Sequence, residues 1–223
     1  RQRSRLQAIE YPVLLFLNAD KGRTLGQLFQ TRGANVGAGR TQAAVSDETD
    51  TVPYQVGAYR FFPDCGLYVL IGCKEQRQLD YCAELFTVLG LSGIGGKTSV
   101  GYGRFTVEEQ IRLDDSDDSQ LVFLQHALAD ASAPYQLLLT TSLPRDDELE
   151  QTMQHAQYRL IRRSGFIQSN TFNAEPFKKQ TPYSLAAGAT CTQRYHGDLY
   201  TVAESGNHPV YRYSKPMFLG VKA

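Results

Sequence analysis

The chain of 223 residues has no tryptophan, two methionines, four cysteines and four histidines, and its 23 basic residues are matched by 23 acidic ones. Each shortage excludes something. The longest apolar run, Val13 to Leu17, falls far short of the ~20 residues that carry a helix across a bilayer. Cys65, Cys73, Cys82 and Cys191 contain no CxxC pair, and their gaps do not match a zinc ribbon or finger. So few cysteines make no disulfide scaffold, which points to a reduced, cytoplasmic protein. No GxSxG elbow and no HExxH pair is present. The acidic run 108–119 lacks the glycine and the closing glutamate of a calcium loop. No catalytic set, metal site or cofactor is therefore expected. With 42% apolar residues the chain can fill a core, which excludes full disorder.

A net charge of zero argues against a protein that coats nucleic acid by bulk charge. The sum hides an arrangement. Residues 1–40 hold seven bases and two acids, residues 106–150 two bases and eleven acids, and residues 151–223 nine bases and three acids. Basic ends around an acidic middle are a hint of polyanion or partner binding.

The apolar pattern predicts alternating strands and single helices. Gly66 to Ile71 reads as a buried strand. Leu79, Ala83, Phe86 and Leu89 define the inner face of a helix over 75–90, with Gly90 closing it. Arg104 to Val107 has strand character, and 108–119 reads as a solvated linker. Tyr135 to Thr141 is a strand. Pro144 with Asp146, Asp147 and Glu148 opens a helix that turns Leu149, Met153 and Ala156 inward. Strands follow at Tyr158 to Arg162, 185–191, 198–203 and Tyr211 to Val221, while 18–58 is a long irregular excursion with a hairpin. The expected class is α+β with a ferredoxin-like plan. A partial first domain spans 1–107, the acidic linker 108–119 and a second domain 120–223. The first half lacks an opening strand and helix, and the chain opens on Arg1, which together read as a chain cut at its N-terminus.

Six of the fourteen residues from Gly90 to Gly103 are glycine. Gly96-Lys97-Thr98 mimics the end of a P-loop, but Leu91 stands where the earlier glycine is required, and the loop runs from helix to strand. GxGxxG fails too, because Thr98 occupies its third position. The chemistry still suits a phosphate: glycines let a ligand approach the backbone, and successive free N–H groups form an anion nest. Lys97 and Arg104 add charge, Thr98 and Ser99 add hydroxyls, and Tyr102 is placed to stack on a base or to pack inward.

The pattern G-x-G-G-K-x-S-x-G-x-G over 93–103, after a helix and before a strand, resembles the glycine-rich loop of the RAMP superfamily of CRISPR-associated proteins. Leu138 to Pro144, Tyr158 to Ser169 and His208 to Pro216 are similar to segments of the Csm-type subunits that cap the guide-RNA 5′ end in type III-A effector complexes. Arg5 to Leu17 resembles a stretch inside the first domain of that family. The resemblance implies tandem ferredoxin-like, RNA-recognition-motif-like RAMP domains, the first truncated. It implies a non-catalytic subunit that holds the guide-RNA 5′ handle. It also implies contact with the large polymerase/cyclase-like subunit and with the neighbouring backbone RAMP subunit.

Single-stranded RNA is gripped by backbone amides, cations and stacking surfaces. The RNA-binding residues expected on that basis are Gly93, Gly95, Gly96, Lys97, Ser99, Gly101, Tyr102 and Arg104 in the loop. Arg162, Arg163, Lys178 and Lys179 follow in the second half, with Arg40 at the close of the irregular segment. The alternative is a RAMP endoribonuclease that processes guide-RNA precursors. That chemistry wants a general base near the loop, usually histidine. His126, His155, His196 and His208 all lie outside it.

Overall fold

The computed structural model describes residues 11–17, 35–36, 40–44, 52–56, 59–60, 66–95, 98–167, 169, 171–172 and 177–222. The chain is α+β and divides into two compact units, Arg1–Phe123 and Leu124–Ala223. No helix among the described residues is long and apolar enough to cross a membrane.

In the first unit, β1 (Tyr11–Leu17) is followed by four short strands, β2 (Asn35–Val36), β3 (Arg40–Ala44), β4 (Val52–Val56) and β5 (Tyr59–Arg60). β3 pairs with β4 and β2 with β5 in the antiparallel sense, so the excursion does hold the expected hairpin. β6 (Leu67–Cys73), helix α1 (Gln76–Ser92) and β7 (Val107–Arg112) complete the unit. β1 lies between β6 and β7 and is antiparallel to both, with Tyr11 opposite Cys73 and Val13 opposite Arg112. β6 and β7 therefore run parallel, joined by α1 as a β-α-β unit split by the strand between them.

Leu79 anchors α1 on the sheet, against Val69, Ile71, Cys73, Phe86 and Val107. Four expectations change here. β6 is only half buried, since Leu67 and Tyr68 reach solvent. Leu89 faces solvent as well, and α1 runs two residues beyond Gly90. Gly90 is no terminus: it is buried in the helix where a Cβ would strike the carbonyl of Phe105. The acidic stretch expected to be a linker begins as β7 and continues into a 3-10 turn, Leu113–Asp115. Its sparse apolar residues decide this. Val107 packs on Leu79 and Leu113 is fully buried, while between them Glu108 is half-buried and Glu109 exposed. Arg112 binds Asp114 at 2.7 Å.

Helix α2 (Ser119–Ala129) spans the division, and the second unit continues with β8 (Tyr135–Leu138) and helix α3 (Asp146–Met153). β9 (Leu160–Arg162), β10 (Tyr183–Leu185), β11 (Thr190–Cys191), β12 (Leu199–Ala203), β13 (Val210–Tyr213) and β14 (Phe218–Val221) follow. β8 pairs with β14 on one side and β11 on the other, β9 pairs with β10, and β12 with β13, all antiparallel. Bridges Ser142 to Leu185 and Gln157 to Thr190 join these ladders, giving the order β14, β8, β11 with β10, then β9. The strand expected over 185–191 is broken by a turn at Gly188, whose φ is +90°. The closing segment is two strands, separated around Pro216.

The core of this unit gathers Leu138, Leu185, Ala189, Cys191, Tyr195 and Phe218, with Met153 and Ala156 packed against it. Tyr195 meets Phe218 edge-on at 5.1 Å and shares a 2.6 Å hydrogen bond with Ser142 Oγ. Burial pushes its phenol well above the ordinary tyrosine value. Leu149, expected inside, is exposed, because α3 is two turns long and meets the core with its last turn, through Thr152 and Met153. Arg194 closes the C-terminal end of α2, donating to the Leu128 carbonyl at 2.8 Å, the Asp130 carbonyl at 2.9 Å and Gln136 Oε1 at 2.6 Å. Leu128 O is one of the carbonyls that a helix end leaves without an internal partner. Cys73 and Cys82 are half-buried and Cys191 is buried, all as free thiols.

Candidate nucleic-acid interface

The glycine-rich segment of the first unit is a closed loop with a defined neck. α1 stops at Gly93, whose φ of +84° no L side chain adopts readily. The Gly93 N–H donates to Leu89 O at 2.7 Å, and the Ile94 N–H donates to Gly103 O at 3.0 Å. The Phe105 N–H donates to Gly90 O at 3.2 Å. The two arms of the neck approach so closely that only glycine fits. A Cβ on Gly103 would overlap the Ile94 carbonyl, and one on Gly93 would lie 2.7 Å from Tyr102 O.

At the tip the glycines serve a different purpose. Gly95 and Gly101 have φ of +104° and +86°, and a Cβ on either would meet nothing within 4 Å among the described residues. Packing does not demand glycine there, so the bare backbone is open to a visitor. Between them a 3-10 turn, Thr98–Val100, presents the exposed hydroxyl of Ser99, and the Gly101 N–H donates to Thr98 O at 2.9 Å. Arg104 is exposed and makes no ion pair among the described residues. Tyr102 is half-buried. The loop thus brings together Gly93, Gly95, Ser99, Gly101, Tyr102 and Arg104, while Gly93 proves to be a buried structural residue. Gly96 and Lys97 lie outside the described residues. Arg40 opens β3 opposite Val56, in a separate hairpin of the first unit.

The four cations of the second unit also converge, on one long hairpin. Arg162 is opposite Tyr183 in the β9–β10 ladder. Beyond it the Arg163 N–H donates to Pro182 O at 3.2 Å, the Lys179 N–H to Gly165 O at 2.9 Å and the Ile167 N–H to Phe177 O at 2.8 Å. Arg162, Arg163 and Lys178 are exposed, and Arg163 Nη2 reaches Thr141 Oγ1 at 3.4 Å. Lys178 and Lys179 line a cleft of about 660 Å³ with Phe177, Thr201 and Glu204. The sequence reading passes over Arg159 and the aromatic residues of this same hairpin. The signal that finds them is compositional: 157–167 and 177–187 contain no Asp or Glu.

Two of the four histidines, His196 and His208, make local contacts. His196 Nδ1 lies 2.9 Å from Glu148 Oε1, and the same carboxylate accepts from the backbone N–H groups of Arg145, His196 and Gly197. Burial pushes the Glu148 carboxyl up, but these hydrogen bonds outweigh it and hold the group below the ordinary glutamate value. His208 lies 3.0 Å from Ser169 Oγ and edge-on to Phe172.

Residues 131–221 match the family model of the CRISPR Csm4 C-terminal domain. The chain is 37% identical over 172 residues to the CRISPR system Cms protein Csm4 of Mycobacterium tuberculosis, covering 77% of this chain and 52% of that protein. It is 36% identical over 167 residues to the Csm4 protein of Streptococcus thermophilus, covering 74% and 51%. The chain belongs to the Csm4 family. It spans about half the length of these curated relatives. The fold is shared with a chain in the crystal structure of a Csm3–Csm4 subcomplex of the type III-A CRISPR-Cas interference complex, at a TM-score of 0.53 and 17% identity over 82% of this chain and 52% of that one.

Proposed function

We propose that this Csm4-family chain is a non-catalytic RNA-binding subunit of a type III-A effector complex, one that holds the 5′ handle of the guide RNA through its glycine-rich loop. The observation that carries the proposal is the loop tip. Gly95 and Gly101 keep a positive φ with, among the described residues, empty space beside them, in a loop that also carries an exposed Ser99 and an Arg104 without an ion pair among those residues. Bare amides, a hydroxyl and a cation are what a bent phosphate backbone needs. Four exposed or half-exposed cations on the second unit's hairpin supply further phosphate contacts.

The architecture supports the same reading. In the second unit the order β14–β8–β11/β10–β9, with α3 between β8 and β9, is the strand order of a ferredoxin-like fold, the β12–β13 hairpin standing where a second helix would be. The split β-α-β of the first unit is half of such a fold. Nucleic-acid binding without chemistry is consistent with His196 and His208 being held in local contacts. The likeness to a chain of the Csm3–Csm4 subcomplex supports a backbone RAMP subunit as one neighbour. The large polymerase/cyclase-like subunit is the other, in a cytoplasmic assembly. Co-purification tests this. The tagged chain, expressed with the subunits and guide of its own system, brings down guide RNA with an intact 5′ handle together with both neighbours. Recovery of the neighbours without RNA, or of RNA cut at the repeat by this chain alone, would contradict it.

A further inference from the structure

The hairpin of the second unit has a property that phosphate binding does not use. Its ladder runs from Gln157 opposite Thr190, through β9 and β10, to Phe166 opposite Lys178. Over 157–167 and 177–187 it carries Arg159, Arg162, Arg163, Lys178 and Lys179 and no carboxylate. On the same two strands Tyr158, Phe166 and Tyr183 are 48%, 55% and 57% exposed. Exposed tyrosines also occur at Tyr81, Tyr211 and Tyr213, so what sets these rings apart is their place beside the cations of one acid-free hairpin.

Register decides how these groups combine. Arg162 and Tyr183 are directly opposed across the ladder, so the guanidinium stem and the phenol share one face. Leu160 lies two residues from Arg162 on that face and is exposed as well. The neighbouring pair, Ile161 and Ser184, points the other way, and Ser184 is buried. Arg162, Leu160 and Tyr183 therefore share one exposed patch, bounded by Leu185, which lies opposite Leu160 and is buried in the core, while Arg159 and Arg163 alternate to the other side of the strand and are exposed there. A protein partner of acidic character would pair with the cations and bury the rings at its contact. A single-stranded nucleic acid uses both, with phosphates on the cations and bases stacked on the rings.

We infer that the β9–β10 hairpin is a base-stacking platform for single-stranded RNA, with Tyr183 as the ring that stacks and Arg162 as its phosphate partner. This rests on the RNA-binding reading above and extends it from the glycine loop of the first unit to named aromatic residues of the second.

The chain has no tryptophan, which gives the inference a clean reporter. In the full chain, Tyr183→Trp provides a single indole on the platform, and Tyr81→Trp on the exposed side of α1 provides a control. Emission is read while a mixed-sequence single-stranded RNA is added, with polyphosphate as a base-free probe. Anisotropy of labelled RNA reports total binding by the unaltered chain. Quenching at Tyr183→Trp by RNA, none by polyphosphate and none at Tyr81→Trp is the expected result. Tyr183→Ala then weakens binding roughly five- to a hundredfold, and Tyr183→Phe restores it. RNA binding by anisotropy without quenching at Tyr183→Trp overturns the platform and leaves the glycine loop standing. Equal quenching in the control overturns it too. Wild-type RNA affinity in Tyr183→Ala, with loss of a co-purifying protein, would assign the face to protein docking instead. No RNA binding by the unaltered chain would remove both readings. If Tyr183→Trp fails to fold by circular dichroism, Tyr158→Trp gives the same readout.

Discussion

The two kinds of glycine in the loop can be separated by one methyl group. Gly103→Ala places a Cβ on the Ile94 carbonyl at a φ of +73°. The left-handed backbone costs about 1–2 kcal/mol for alanine. Opening the neck also gives up the Ile94 N–H to Gly103 O bond of 3.0 Å, worth about 1 kcal/mol. The expected loss is roughly 3 kcal/mol of stability in the first unit, with the loop deformed. Gly101→Ala meets nothing within 4 Å, so only the backbone term at φ +86° remains. A more restricted unfolded chain offsets part of that term, leaving a cost of about 1 kcal/mol or less. The methyl instead fills the space that a ligand would use. Thermal melts and anisotropy with handle RNA should therefore dissociate. Gly101→Ala melts near wild type and binds at least tenfold more weakly, while Gly103→Ala loses both. Gly95→Ala should behave like Gly101→Ala. Wild-type RNA affinity in both tip variants would refute the argument that open space at positive φ marks the site.

Other outcomes follow from the second unit. Glu148 has its folded value held below the ordinary one, so its stabilisation is complete above about pH 4.3 and disappears as the pH falls through the folded value. Glu148→Gln should cost about 2 kcal/mol at neutral pH and flatten the acid limb of a stability-against-pH curve; an unchanged limb would refute that role. Arg194→Ala removes three hydrogen bonds at the end of α2 and should cost about 2–3 kcal/mol by urea melt, whereas Arg194→Lys recovers only part of it. Tyr195→Phe leaves the buried Ser142 hydroxyl without its 2.6 Å partner and should cost about 1–2 kcal/mol.

Much of the fold is legible in the sequence where the signal is local. Leu79 and Phe86 at helical spacing place α1, and the apolar run at 135–141 places β8. The failures come from long-range packing. Nothing near Gly90 reveals that Phe105 will lie against it, so its role inside the helix is invisible from the chain. The acid-rich 108–119 reads as solvent-exposed because charge dominates a local window, yet Val107 and Leu113 find buried partners. For the site, the spacing of the loop glycines is visible but their division into neck and tip is not, since it depends on which backbone faces which. The hairpin cations are visible one by one. Their convergence, and the alignment of Arg162 with Tyr183, require the register.

The central claim is that this chain binds the guide-RNA 5′ handle without cutting it, through a small cationic glycine loop. The most direct measurement is anisotropy of labelled handle RNA over a salt series, for the wild-type chain and for Lys97→Ala combined with Arg104→Ala, followed by gel analysis of the recovered RNA. The account predicts wild-type binding that weakens with salt, a double variant whose log–log slope is shallower by roughly 1.4, about 0.7 for each lost phosphate contact, and RNA of unchanged length. Equal slopes for the two chains, or shortened RNA, would contradict it.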